Sequence, residues 1–281
     1  MHSVQKREAT LLMNYLVKLW RQMFDIRAGE HVRTWAMFWY LFSVLMAYYI
    51  VKPVSRSMFL TKFDVDKLPS LYIVIAVAGG MFAYLYSRLA AKTSLHTAVF
   101  WTMLLSVISL CAMWGFIYVP WMIYVLNIWV SLFSIVLVSQ GWLVAGNIFN
   151  AREAKRLYPL LGMSMVLGAA SGGEFTNRVV RLVGTRNLLL ACAAIVVVAY
   201  GAFRVAGSQS ASSVEHADLT RVRHLQVIVG LMVAMYIVDT LVEYQLQYVA
   251  GHAYKGDRLT AFFGQFYGLY PTDSKLSSSC S

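Results

Sequence analysis

The sequence predicts an all-α fold, a polytopic bundle of transmembrane helices, and three observations carry that expectation. Of 281 residues, 59% are hydrophobic and only 13% are charged, against about 45–50% and 25% in soluble domains. Mean hydropathy is +0.60. So little charge cannot cover the surface of a water-soluble globule. Second, charge-free stretches recur at 34–51, 68–87, 157–173 and 187–203, each about the length of one bilayer crossing. Third, 97–151 holds no charged residue at all and is far longer than a single crossing.

Each element follows in turn. Residues 1–33 form a cytoplasmic amphipathic segment, in which Leu12, Leu16, Leu19 and Met23 recur at helical spacing opposite Lys18 and Arg21. It lies on the membrane surface or docks on the protein's own loops. A cleaved signal is not expected, because the first apolar stretch ends at Val51-Lys52-Pro53 without a small-residue cleavage site. Residues 34–206 make a six-helix transmembrane half. Within it Pro120, between Tyr118 and Trp121, splits the long apolar run into helices over 97–118 and 121–146, since proline interrupts a helix and aromatics favour the interface. Residues 207–224 are a polar central loop opening with GSQSASS. Residues 225–268 begin a second half, with a seventh helix over 225–250 and part of an eighth from Leu259. The Ser-rich tail 269–281 breaks off that apolar pattern and reads as the product of a frameshift or premature stop.

The net charge of +11 comes with no basic run longer than two residues, which argues against nucleic acid as a partner. Lysine and arginine are biased toward the segments sharing a side with the N-terminus, so the N-terminus is expected in the cytoplasm. Three scattered cysteines show no CxxC spacing, so neither a zinc site nor a disulfide framework is expected. Phosphate-loop, HExxH and GxSxG patterns are missing. No enzyme activity, cofactor or metal is expected.

Ionisable residues in apolar spans are costly and therefore candidates for function. Lys52 and Arg56 share one helical face if the helix continues past Pro53, where a kink or stop is expected. Two cations there suit a phosphate group or snorkel to lipid headgroups. Asp239 and Glu243 form an acidic i, i+4 pair in the seventh span. It is read as a coupling site, a partner for a substrate-binding cation, or an ion pair with Arg178 or Arg181. Gly168 and Gly172 carry small-xxx-small spacing, which permits close helix packing. Glu174 lies beside them near the outer interface.

The segment Glu153-Ala154-Lys155-Arg156-Leu157-Tyr158-Pro159-Leu160-Leu161-Gly162 resembles the signature of the non-mitochondrial ATP/ADP translocases, nucleotide transporters of plastids and intracellular bacteria with relatives in free-living bacteria. Ile26-Arg27-Ala28-Gly29-Glu30, the Tyr48-Tyr49-Ile50-Val51-Lys52-Pro53 end of the first span, and Thr240-Leu241-Val242-Glu243-Tyr244-Gln245 are similar as well. The resemblance implies a major-facilitator-type carrier of twelve helices, of which this chain holds the N-terminal half and the start of the second. It implies a bacterial inner-membrane protein exchanging ATP for ADP, or importing nucleotides, by alternating access. Lys52, Arg56, Asn147, Glu153, Lys155, Arg156 and Glu243 are then substrate-binding candidates, with Asp239 a coupling candidate. EAKR also reads as a cytoplasmic gate or loop latch of salt bridges. The chain departs from the pattern at Ser55, where a second cation is expected, and at Gln247, where a lysine is common. A carrier of a non-nucleotide solute, or an inert fragment of a carrier, is the alternative.

Overall fold

A computed structural model describes residues 26, 29–63, 65–90, 94–207, 238 and 240–268. The amphipathic N-terminal segment, most of the central loop, the first part of the seventh span with Asp239, and the Ser-rich tail lie outside the described residues. Within them every regular element is a helix. These are α1 (His31–Lys62), a short 3-10 turn (Val65–Lys67), α2 (Leu68–Ala90), α3 (Leu95–Phe116), α4 (Pro120–Ile148), the long α5 (Ala151–Gly207), α6 (240–253) and α7 (Asp257–Tyr267). Four of them, α1, α3, α4 and α5, are long and apolar enough to cross a membrane.

Their surfaces say the same. Val77, Met81, Trp101, Leu105, Val197 and Val198 are exposed, and Leu182 is 84% exposed. A water-soluble monomer does not display contiguous apolar surface on this scale, whereas a helix facing lipid must. The core lies between α1 and the other helices. Met37, Tyr40, Leu41, Ala47, Ile50 and Val54 of α1 are fully buried, together with Leu126 of α4 and Leu161, Leu188 and Cys192 of α5.

α1 corrects one expectation. It runs without interruption through Pro53 to Lys62 instead of kinking to a stop. Proline removes a backbone donor, but membrane helices tolerate it where side-chain hydroxyls re-satisfy nearby carbonyls. Here Val51, Pro53 and Val54 are buried in the packed bundle, and Ser55, Ser57 and Thr61 add side-chain bonds to the carbonyls of Lys52, Val54 and Ser57 further along α1, at 2.9, 3.2 and 2.7 Å. The continuous helix puts Lys52 and Arg56 on one face.

The turn at Pro120 is as expected, with Pro120 in the first turn of α4 where its missing N–H costs nothing. The fifth and sixth spans differ from expectation. The first arm of α5 continues past Glu174, Arg178 and Arg181 to a single non-helical residue, Gly184, at φ 76° and ψ 160°. The second arm then returns toward the start of α1, where Phe203 packs against Tyr40 at 5.9 Å. A positive φ is open to glycine at little steric cost, so one residue reverses the chain where a loop was expected.

The first arm of α5 lies directly on α1. A Cβ at Gly172 would stand 2.6 Å from the Met46 carbonyl oxygen, and one at Gly168 would overlap the Phe42 carbonyl. Gly173 faces Gly264 and Gly268 of α7 in the same manner. The small residues thus mark helix packing on both sides of this arm.

Candidate functional site

Four elements converge on one carboxylate. Lys52 and Arg56 project from the same face of α1 because they are one helical turn apart. Glu243 projects from α6 toward both, with Lys52 Nζ at 3.3 Å from Oε2 and Arg56 Nε at 3.4 Å from Oε1. Gln247, one turn further along α6, donates to Glu243 at 3.0 Å and to the Tyr72 hydroxyl of α2 at 3.0 Å. The Tyr267 hydroxyl of α7 donates to Glu243 at 3.3 Å.

The two cations are also held from behind. Arg56 Nη1 donates to Asn127 Oδ1 at 3.0 Å. The Asn127 amide nitrogen in turn donates to the carbonyls of Ser55 and Ile123, both at 3.0 Å. Asn127 is therefore fixed in orientation, with its acceptor toward the guanidinium. Lys52 lies over the Tyr267 ring at 4.5 Å and Arg56 over the Tyr72 ring at 5.4 Å. A ring face attracts a cation most strongly where water is excluded, and the side chains of Lys52, Arg56 and Glu243 are only 9–14% exposed. Among the described residues the cluster holds two cations against one carboxylate, a net positive charge inside an apolar bundle.

Beyond this network, toward the Lys62 end of α1, hydroxyls tie α7 to α1 and α5. Asp257, in the first turn of α7, accepts from the backbone N–H of Thr185 at 3.2 Å and from its hydroxyl at 2.5 Å. That carboxylate caps the arm of α5 that starts after Gly184. Thr260 bonds to Thr185 at 3.0 Å and to Ser57, and the Gly256 N–H donates to Thr61 at 3.2 Å.

The EAKR segment lies elsewhere. Glu153 accepts from Arg33 at 2.6 Å, Arg156 donates to Glu30 at 2.6 Å, and Arg33 and Glu30 stand 3.9 Å apart. Glu153 also accepts from the Asn150 N–H at 3.0 Å, closing the first turn of α5. These crossed pairs join the start of α1 to the start of α5. Among the described residues they reach neither α6 nor α7, so they form a latch within the first unit. Breaking it by Arg156→Ala or by Glu30→Ala is expected to weaken the fold, and the double variant to lose less than the sum of the two. A double-mutant cycle in detergent should give a coupling of about 1–2 kcal/mol. Coupling near zero would make the pairs incidental.

The candidates named from sequence therefore divide. Lys52, Arg56 and Glu243 meet. Glu153 and Arg156 occupy the latch, and Arg33 lies about 28 Å from Lys52 along the α1 axis at a rise of roughly 1.5 Å per residue. Lys155 is exposed beside the latch. Asn147 is exposed and donates to the Leu143 carbonyl of its own helix at 2.8 Å. Asp239 lies outside the described residues. Glu243 pairs with Lys52 and Arg56 and not with Arg178, which bonds Glu174 on its own helix, nor with Arg181. Asn127, Tyr72 and Tyr267 were missed by sequence reasoning. Only Asn127 carried a signal, as an amide in an otherwise apolar, charge-free stretch. Compared with known protein families, curated proteins and solved structures, the chain matches none.

Proposed function

We propose that this chain is the first half, with the start of the second, of a membrane carrier that moves nucleotides or related phosphorylated anions by alternating access. The observation that carries the reading is the pair of cations, Lys52 and Arg56, sharing the single carboxylate of Glu243 inside the bundle. Arginine and lysine together bind phosphate by charge-assisted hydrogen bonds. In the absence of an anion Glu243 holds the cations in place. A phosphate entering the cluster competes with Glu243 for them, and the released carboxylate loosens the tie between α1 and α6. Binding and movement of the second half against the first are thereby coupled, which is what alternating access requires. The resemblance of the EAKR segment and of the Glu243 region to the ATP/ADP translocases supports the same reading. On this reading the protein sits in a bacterial inner membrane with its N-terminus in the cytoplasm. The chain then acts as a carrier and not as an enzyme.

The test is uptake of labelled ATP and ADP into proteoliposomes holding the purified chain. Lys52→Ala and Glu243→Gln should each lower uptake by about tenfold or more, the cost of one charged hydrogen bond. Movement of another solute, indifferent to both substitutions, would favour a non-nucleotide carrier. A folded chain that moves nothing would favour an inert fragment.

A further inference from the structure

A second cationic site lies at the Lys62 end of the bundle. Arg181 from the first arm of α5, His252 from the end of α6, Lys255 from the connection, and Arg258 from the first turn of α7 line one cavity of about 950 Å3. Its wall includes Tyr254 stacked on Phe262 at 5.1 Å. It shares no lining residue with the Lys52–Arg56–Glu243 network.

These cations differ from Arg178 in making no direct ion pair or hydrogen bond to an acidic side chain among the described residues. Arg178 bonds Glu174, and Arg186 is held by the Trp114 carbonyl at 3.0 Å and the Tyr118 hydroxyl at 2.7 Å. Arg181, Lys255 and Arg258 make no ion pair among the described residues. The one acid lining the cavity, Asp257, turns Oδ1 to the N–H and hydroxyl of Thr185. Gathering like charges at a low-dielectric surface is unfavourable unless an anion offsets it. Ala253, Ala261 and Phe262 are apolar residues of its lining, and Leu182, Val183 and Phe266, close in sequence to Arg181 and Gln265, are exposed.

We propose that this cavity binds a phosphate-bearing anion, either the headgroup of an acidic phospholipid or a free phosphorylated solute. Arg181 and Arg258 supply planar donors to the phosphate oxygens, and Lys255 adds a point charge. An acyl chain attached to that phosphate would run along Leu182 and Phe266.

The purified full chain, in phosphatidylcholine nanodiscs, tests it with two probes. One is inorganic phosphate, titrated calorimetrically. The other is phosphatidylglycerol mixed into the disc, its retention counted by native mass spectrometry. Saturable binding of either probe is expected. It should weaken about tenfold or more in Arg181→Gln/Arg258→Gln and stay unchanged in Lys62→Gln/Lys67→Gln, which removes the same charge from the same end. Retention of phosphatidylglycerol without phosphate binding identifies the ligand as lipid, and binding of phosphate identifies a soluble anion. Should the arginine double variant fail to fold, Lys255→Gln gives the same comparison through a single exposed side chain. Equal losses in both double variants, or no saturable binding of either probe, would overturn the proposal.

Discussion

Glu243→Gln is expected to destabilise the bundle by about 3–5 kcal/mol, the usual cost of removing one partner from a buried ion pair. The substitution keeps the shape of the side chain and its bonds to Gln247 and Tyr267. What it removes is the charge facing Lys52 and Arg56. Those cations, little exposed and surrounded by apolar helices, then lack an anion. Chemical unfolding in detergent micelles measures the loss. A second substitution separates charge from packing: Lys52→Met added to Glu243→Gln should recover part of the stability, because one cation fewer is stranded. If Glu243→Gln unfolds like the wild type, the cluster is hydrated well enough to need no counter-ion, and Glu243 is not the tie between α1 and α6.

Gly168→Ala comes second in expected effect, at about 1–3 kcal/mol of overpacking. The new methyl group would meet the backbone carbonyl of Phe42, which cannot swing aside as a side chain can, so α5 must back away from α1. Gly162→Ala is the control on the same helix, since no atom lies within 4 Å of the methyl position there. It should be neutral or slightly stabilising, as alanine favours a helix over glycine by about 0.5–1 kcal/mol. Equal responses from the two would mean that helix propensity, and not the approach of α5 to α1, governs this region.

The four long apolar helices were legible because the bilayer imposes a length and an apolar composition that a single chain segment must satisfy alone. Pro120 between Tyr118 and Trp121 is local chemistry of that kind, and so is the Gly168–Gly172 spacing. Pro53 misled because its cost as a helix breaker is set by water competing for the freed carbonyl. Val51, Pro53, Val54 and Ser55 are buried among neighbouring helices, away from that competition. Gly184 was hidden because nothing local in the sequence sets it apart from the other glycines of α5, and its positive φ belongs to the fold. The site was half legible. Lys52, Arg56 and Glu243 are conspicuous as charges in apolar sequence, but Arg56 and Glu243 are 187 positions apart, and no periodicity relates them. The partners of EAKR were hidden in the same way, with Glu30 lying 126 positions before Arg156. Tyr72 and Tyr267 gave no signal, being two among many aromatics in apolar helices.

The unbroken course of α1 has a mechanical meaning. A helix of 32 residues is about 48 Å long. It carries the crossed pairs of Glu30 and Arg33 near one tip and the Lys52–Arg56 cluster toward the other. A helix that moves as one rigid body cannot tilt at one tip alone. On the proposed mechanism, when the cluster exchanges Glu243 for another anion and that tip swings, a rigid α1 swings its opposite tip in the reverse direction, straining the pairs to Glu153 and Arg156. α1 is therefore a rocker arm whose pivot is the glycine-lined contact with α5, where Phe42 and Met46 press on Gly168 and Gly172. Backbone resting on backbone makes a stiff bearing, one that converts a displacement of a few ångströms at one membrane face into leverage at the other.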